Sequence, residues 1–296
     1  MIVVDQIESV LADYFKVPHL SCHAQEVSGG DIHSSYALTL TCSKSIPKRV
    51  FAKANSGDAA DVLHSEYQSL KEIDTLCSGL YPKPLLFHRE DNHAVLIMSF
   101  HQLGSFDSAS TAQAGKALAE QHKLSNLNFG WGSDNYIGLT PQPNHWKDHW
   151  VDFFREQRLL PMLDRASQRG LSQNSAQAAH EIVANLDELL SHQVVPALVH
   201  GDLWSGNLSL DTENRKPLFF DPAPYYGDRE VDIAMTELFG RQADAFYQAY
   251  ETVSPLDKGY EQRRPIYNLY HALNHVVLFG TSYNGLVRNQ LEQITN

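Results

Sequence analysis

Asp202 and Asn207 stand five residues apart in the segment HGDLWSGN (200–207), and Asp221 follows nineteen residues after Asp202. Two carboxylates and an amide oxygen form a set of hard oxygen ligands. That set suits Mg²⁺, which takes few protein ligands and fills its shell with water and phosphate oxygens. An aspartate not spent on the metal can orient a hydroxyl and take its proton. Together these are the parts of a phosphoryl transfer. Asp and Asn also cap tight turns through their side chains, so the same residues have a purely conformational reading. Upstream, Lys53 lies within FAKAN (51–55), and Glu66 sits between Leu63 and Leu70 on the apolar stripe of an expected helix. A carboxylate on a buried face requires a partner, and Lys53 is the nearest upstream cation that fits. SGGDIHSSY (28–36) is a glycine-rich turn whose Gly29 and Gly30 can bring backbone N–H groups over phosphates; a plain hairpin turn has the same composition.

The elements that must hold these residues follow from periodicity. Residues 5–15 read as a short helix, 21–27 and 35–42 as the strands of a hairpin, and 50–54 as a third strand. A helix over 60–77 carries Leu63, Tyr67, Leu70 and Ile73 on one face. YPKPLLF (81–87) leads towards another strand, and AVLIMSF (94–100) is a short buried one. Beyond Gly104 the pattern is helical at 109–123, 145–165, 174–192, 231–253 and 261–288. Three apolar pieces, 197–200, 208–210 and 217–220, form a small β insert within that part. TPQPN (140–144) reads as a loop between helices. Residues 1–98 are therefore expected to form a small α+β lobe, 99–104 a connection, and 105–296 a larger helical lobe.

The 296 residues, with 13 Phe, 13 Tyr and 4 Trp, are ample for a buried core. The net charge is −12, which disfavours nucleic acid and anionic membranes as partners. No apolar run approaches a membrane span of ~18 residues, and the start, interrupted by Asp5 and Glu8, does not read as a signal peptide. Cys22, Cys42 and Cys77 form no CxxC pair, which points to a reducing, cytoplasmic setting rather than a disulfide scaffold. The first two lie symmetrically about Ile32 in the expected hairpin and could face each other, although two reduced thiols are the simpler expectation. His145 and His149 have helical spacing but no Glu completes a zinc motif. Trp146, Trp150, Phe153 and Phe154 read as core. Asp232, at a helix start, is expected to brace the loop at 200–207.

The order is glycine-rich hairpin, strand Lys, helix Glu, apolar strand, HGDxxxxN and strand-end Asp. It is the order of a kinase. A P-loop and a Rossmann fingerprint are both absent. Gly201 stands where protein kinases usually carry Arg, and only 222–230 separate Asp221 from the next helix. No room remains for a phosphorylated activation segment, so the acceptor is expected to be a small molecule or a small adduct on a protein.

HGDLWSGN followed by FFDPAPYYGDREVDIAM (219–235) resembles the fructosamine kinase (ketosamine-3-kinase) family. The likeness extends to SGGDIHSSY, FAKAN, FGWGSDNYIGLTPQPNHW (129–146) and DFFREQRL (152–159), nearly the whole chain. It implies a protein-kinase-like two-lobed α+β fold, with a small β-rich N-lobe and a larger helical C-lobe. It further implies ATP- and Mg²⁺-dependent phosphorylation of the 3-hydroxyl of ketosamines, free or as glycated lysines on proteins, as a deglycation step. Asp202 then matches the catalytic base, and Asn207 and Asp221 the magnesium ligands. Lys53 and Glu66 match the phosphate-anchoring pair, Met98 the back of the adenine pocket, and Ser99, Phe100, His101 and Gln102 the adenine hinge. Trp204, Tyr225, Asp228 and Arg229 lie in text specific to the family and become candidate substrate contacts, with His33 and 130–138 as further candidates. Another small-molecule kinase, of aminoglycoside or choline type, and a catalytically silent nucleotide-binding module remain as alternatives.

Overall fold

A computed structural model describes residues 4–27 and 33–295. By its internal packing the chain divides into two units, Met1–Gly104 with Leu210–Phe220, and Ser105–Ser209 with Asp221–Asn296.

In the first unit the alternating stretches become one antiparallel sheet. Helix α1 (Val4–Phe15) precedes β1 (Ser21–Glu26), β2 (Ser34–Thr41) and β3 (Arg49–Ser56); α2 (Ala59–Leu76) then leads to β4 (Pro84–Glu90) and β5 (His93–Ser99). The sheet order is β1-β2-β3-β5-β4. One core joins Ile7 and Leu11 of α1 to Leu38, Leu40, Val50, Val95 and Ile97 of the sheet. Helix α2 buries Leu63, Leu70 and Ile73, each contributing roughly 2 kcal/mol by removal from water. The β1–β2 register sets Cys22 opposite Leu40, two residues short of Cys42, so the two cysteines do not pair directly; all three are free thiols. The unit is completed by β6 (Leu103–Gly104), to which a later hairpin adds as a three-stranded sheet.

The second unit is helical, with small strands where its loops need fixing. Helix α3 (Ser108–Gln121) starts on a capping box: Asp107 accepts from the Ser110 N–H at 2.8 Å, and Ser110 Oγ accepts from the Asp107 N–H at 2.9 Å. Next come the hairpin β7 (Asn135–Ile137) and β8 (Thr140–Gln142), then α4 (Trp150–Phe153), a π-helical turn (Phe154–Leu159) and α5 (Leu160–Gln168). Residues 140–142 are thus strand, and the helix expected from 145 begins at Trp150. The reason is a tertiary pairing: Phe129 and Lys147 exchange backbone hydrogen bonds, and the Trp131 N–H donates to the Asn144 carbonyl, holding this stretch extended. Helices α6 (Gln173–Ala184) and α7 (Leu186–Leu189) split the expected 174–192 helix at Asn185. Strand β9 (Ala197–Val199) follows, then the hairpin β10 (Leu208–Asp211) and β11 (Lys216–Phe219), and β12 (Tyr225–Gly227), which pairs antiparallel with β9. Helices α8 (Glu230–Leu238), α9 (Asp244–Val253), α10 (Tyr260–Phe279) and α11 (Asn284–Thr295) close the chain. Helices α3 and α9 touch at Gly115, where a Cβ would lie 2.0 Å from the Phe246 carbonyl oxygen. Among the described residues, no helix is long and apolar enough to cross a membrane.

Candidate active site

In the first unit, Lys53 on β3 and Glu66 on α2 form an ion pair, Nζ to Oε1 at 2.7 Å, with both side chains about nine-tenths buried. The stripe that placed Glu66 inward therefore found its cation on the neighbouring strand. Met98 is buried on β5, with Phe51 and Pro84 opposite it on either side. The following residues are held in place by the β10–β11 hairpin. Ser99 Oγ lies 2.7 Å from His101 Nε2, His101 Nδ1 lies 2.8 Å from Asp211 Oδ2, and Thr212 donates from both its N–H and its hydroxyl to the Gln102 carbonyl. The Arg49 guanidinium sits 3.7 Å over the Phe100 ring. Asp211 also accepts from the N–H groups of Glu213 and Asn214 and from the Asn214 amide. Burial pushes its carboxyl up, but these hydrogen bonds outweigh it and bring the pKa down to about 2. His33 Nδ1 meets the Asn55 amide at 2.9 Å. Gly29 and Gly30 lie outside the described residues.

In the second unit, β9 delivers the chain to His200, and a tight loop turns through Gly201 to Asp202. The Asp202 N–H donates to His200 Nδ1 at 3.1 Å. Asn207, buried at the end of a 3₁₀ turn, donates its amide to the Asp202 carbonyl at 2.9 Å and reaches Asp202 Oδ2 at 3.5 Å. Asp221 follows at the end of β11, exposed and in a left-handed backbone conformation, φ 50°. The Asp202 carboxyl is pushed up to about 7, first by burial and then by the charges of Asp221 and Asp232. The fold thus gathers Asp202, Asn207 and Asp221 into one acidic, oxygen-rich group, a donor set that fits Mg²⁺.

The loop is braced from beneath. Asp232 on α8 accepts from the His200 N–H at 2.6 Å and from the Gly201 N–H at 2.9 Å. His122 Nε2 meets it at 3.0 Å, and His122 Nδ1 lies 2.8 Å from the Tyr250 hydroxyl. Burial alone would raise the Asp232 carboxyl; the hydrogen bond and charge of His122 and the contacts from His200 keep it below the usual range. Gly201 has φ 84°, and a Cβ on it would lie 2.0 Å from the Ala223 carbonyl oxygen. That close approach explains glycine at this position, where an arginine could not fit.

Two residues that spacing alone does not single out hold the chain beyond Asp221. Gln142 on β8 donates to the Ala223 carbonyl at 3.1 Å and to Asn135 Oδ1 at 2.8 Å, and accepts from the Tyr270 hydroxyl at 2.7 Å. Asn135 on β7 donates to the Pro224 carbonyl at 2.9 Å, while the Ala223 N–H returns to the His200 carbonyl. Both amides are buried. They lie in the 129–146 block, but no local pattern relates them to a segment more than eighty residues away.

The family-specific residues divide into two kinds. Trp204 is 40% exposed, its ring laid against Gly206, where a Cβ would come within 2.3 Å of it. Tyr225 is buried beneath the Arg158 guanidinium, 3.9 Å from its ring centre. Arg158, itself fully buried in the π turn, donates to the Pro143 carbonyl and to Asn144 Oδ1, both at 2.6 Å. Asp228 accepts from Tyr267 and lies 2.7 Å from His192 Nε2; its carboxyl is lowered by these partners against the effect of burial. Arg229 is spent on the Ser254 carbonyl and hydroxyl and on the Pro255 carbonyl. Tyr225, Asp228 and Arg229 thus have internal partners, whereas Trp204 presents a face outward. His192, Asp228 and Glu230 cluster closely enough to hold a cation, but Arg263 already neutralises Glu230 through two hydrogen bonds at 2.7 and 2.6 Å.

The fructosamine kinase family model matches residues 3–296. A probable ketoamine kinase, slr1563, of Synechocystis is 38% identical over 293 residues, covering 98% of this chain and 95% of the relative. A probable ketoamine kinase of Vibrio parahaemolyticus is 37% identical over 279 residues, 94% of each chain. The crystal structure of a Haemophilus somnus protein assigned as a fructosamine-3-kinase superposes with a TM-score of 0.86 at 27% identity, covering 98% and 97% of the two chains. The aminoglycoside phosphotransferase APH(4)-Ia (TM-score 0.64, 14% identity, 98% and 99% covered) and the choline kinase LicA of Streptococcus pneumoniae (0.64, 12%, 98% and 99%) share the fold alone.

Proposed function

Because the chain belongs to the fructosamine kinase family, we propose that it transfers the γ-phosphoryl group of ATP to the 3-hydroxyl of a ketosamine. The observation that carries this reading is the gathering of Asp202 and Asn207, on a loop braced by Asp232, with Asp221 from the segment after β11. Asp202 orients the acceptor hydroxyl and takes its proton; a carboxyl raised towards neutrality is a better base than an ordinary one. Asn207 and Asp221 are the residues that would hold Mg²⁺, which when bound neutralises phosphate charge. Lys53, aligned by Glu66, holds the nucleotide phosphates, and Met98 with residues 99–102 holds the adenine. Gly29, Gly30 and His33 cover the phosphates in this reading. Trp204 faces the sugar, while Tyr225, Asp228 and Arg229 serve it indirectly by fixing the local backbone.

Acceptors of this class carry a cationic amine, which suits a chain of net charge −12 with an acidic site. They include free ketosamines and glycated lysines of proteins, in the cytoplasm; nucleic acid and membranes are not partners in this reading. Phosphate on O3 sits on the carbon next to the C2 carbonyl and becomes an allylic leaving group once the sugar enolises between C1 and C2. Loss of a proton from C1 gives an enol that expels phosphate from C3, and hydrolysis then frees the amine and leaves a dicarbonyl sugar. Phosphorus NMR of a reaction with ribulose-lysine and ATP tests the proposal. A sugar-phosphate resonance should appear first, then free phosphate, with free lysine released. A stable phospho-product, or equal turnover of ribose, choline or an aminoglycoside, would count against it.

A further inference from the structure

Helical spacing groups Trp146 with Trp150, Phe153 and Phe154, but their environments differ. The last three are buried, with Trp150 only 3% exposed, whereas Trp146 is 44% exposed. It is not loose: its ring stacks on Tyr226, centroids 6.3 Å apart and planes 28° apart, and Trp131 lies on the same tyrosine at 5.6 Å. The backbone behind it is tightly fitted, since a Cβ on Gly130 would meet the Asn144 carbonyl at 2.8 Å and the Trp146 ring at 3.0 Å. Trp131 has a buried indole N–H with no acceptor in the structure, so the cluster retains an unsatisfied donor. A ring fixed by its neighbours and still open to solvent offers an apolar π face to a ligand.

Its place in the fold ties it to the catalytic loop. Tyr226 exchanges two backbone hydrogen bonds with Gly130 and pairs with Leu198 of β9, the strand that delivers Asp202; its own strand follows Asp221. The local charge suits a cation. Lys147 is neutralised by Glu156, and the exposed Asp134 carboxylate accepts from the Asn144 N–H at 2.8 Å.

Building on the ketosamine reading, we propose that Trp146, backed by Tyr226 and Trp131, is a specificity platform for the amine-bearing arm of the acceptor. The alkyl chain lies on the indole face, and the secondary ammonium is attracted by the ring and by Asp134. The sugar and the chemistry stay with Asp202 and Trp204. This makes the enzyme selective for the amine's substituent as well as for the sugar.

The test compares two acceptors in the full-length protein: the ribulose adduct of Nα-acetyl-lysine and the ribulose adduct of methylamine, which lacks the arm. The readout is the ratio of their kcat/KM values, which does not depend on the fraction of enzyme folded. Because both adducts carry the ammonium, the ratio reads the methylenes laid on the indole: Trp146→Ala should lower the preference for the lysine adduct about tenfold, mainly through its KM, and Trp146→Phe should restore most of it. A ratio equal to wild type in Trp146→Ala would overturn the platform while leaving the kinase reading intact. A wild-type enzyme inert towards both adducts would overturn the kinase reading, and the platform with it.

Discussion

The loop at 200–207 concentrates its demands on two adjacent residues. Asp202 has an oxygen to offer a hydroxyl and lies in a group that raises its affinity for a proton. Replacing it with Asn keeps the shape and removes the proposed base. Asp202→Asn should lower kcat by roughly two orders of magnitude or more, with little change in nucleotide affinity measured by calorimetry; near-normal kcat in folded protein would sink the assignment. Gly201 acts through absence. A methyl there meets the Ala223 carbonyl at 2.0 Å and forces a side chain into φ 84°. Gly201→Ala should therefore cost about 3 kcal/mol or more, read as a lower urea midpoint, and should abolish turnover even where the fold survives.

At the scale of elements, small strands and hairpins do the positioning. The β7–β8 hairpin grips the chain after Asp221 through Gln142 and Asn135. Gln142→Leu leaves the Ala223 carbonyl and the Tyr270 hydroxyl without this partner, at a cost of about 2–4 kcal/mol. Its turnover should fall more than its nucleotide affinity, and Gln142→Glu, which keeps an acceptor for Tyr270 but sets a buried carboxylate oxygen against the Ala223 and Asn135 oxygens, should be at least as destabilising. The β10–β11 hairpin depends on Asp211. Its folded pKa, about 2, lies below the ordinary 3.8, so its ionised form stabilises the fold by about 2 kcal/mol above pH 4. That contribution is lost as pH falls through 2. The stability gap between wild type and Asp211→Asn in urea melts should be full at pH 6 and close between pH 4 and 2; a gap independent of pH would contradict the ion's role.

For the molecule as a whole, nucleotide binding couples to stability, because a ligand held by the folded state alone raises the melting temperature. ATP with Mg²⁺ should raise the wild-type Tm in a concentration-dependent way. Lys53→Ala should remove most of that increment, and Glu66→Ala part of it, since Glu66 only aligns the lysine. An increment in Lys53→Ala equal to wild type would show that the lysine does not hold the phosphates. The first unit draws on two separate stretches of chain, Met1–Gly104 and Leu210–Phe220. Truncation near residue 200 should therefore destabilise the residue 99–104 segment, whose Gln102 carbonyl would lose Thr212.

The grouping of Asp202, Asn207 and Asp221 and the strand Lys–helix Glu pair were legible in the sequence for local reasons. A carboxylate on an apolar stripe demands a cation, and oxygen donors at strand ends at this spacing suit a metal and a hydroxyl. Periodicity likewise marked the strands of the first unit, because burial on one face repeats every second residue. It does not say what each buried face meets. Trp146, Trp150, Phe153 and Phe154 follow one helical pattern, yet the backbone pairing at Phe129–Lys147 keeps residues 145–149 out of the helix and leaves Trp146 in solvent. Cys22 and Cys42 were parted by a register that only strand pairing sets. The pairing of β10 with β6, the amide grip of Gln142 on Ala223 and the brace of Asp232 under Gly201 join residues thirty to more than a hundred positions apart. Such contacts are chosen by which elements pack together and which buried polar groups must be satisfied there, and so they belong to the tertiary structure.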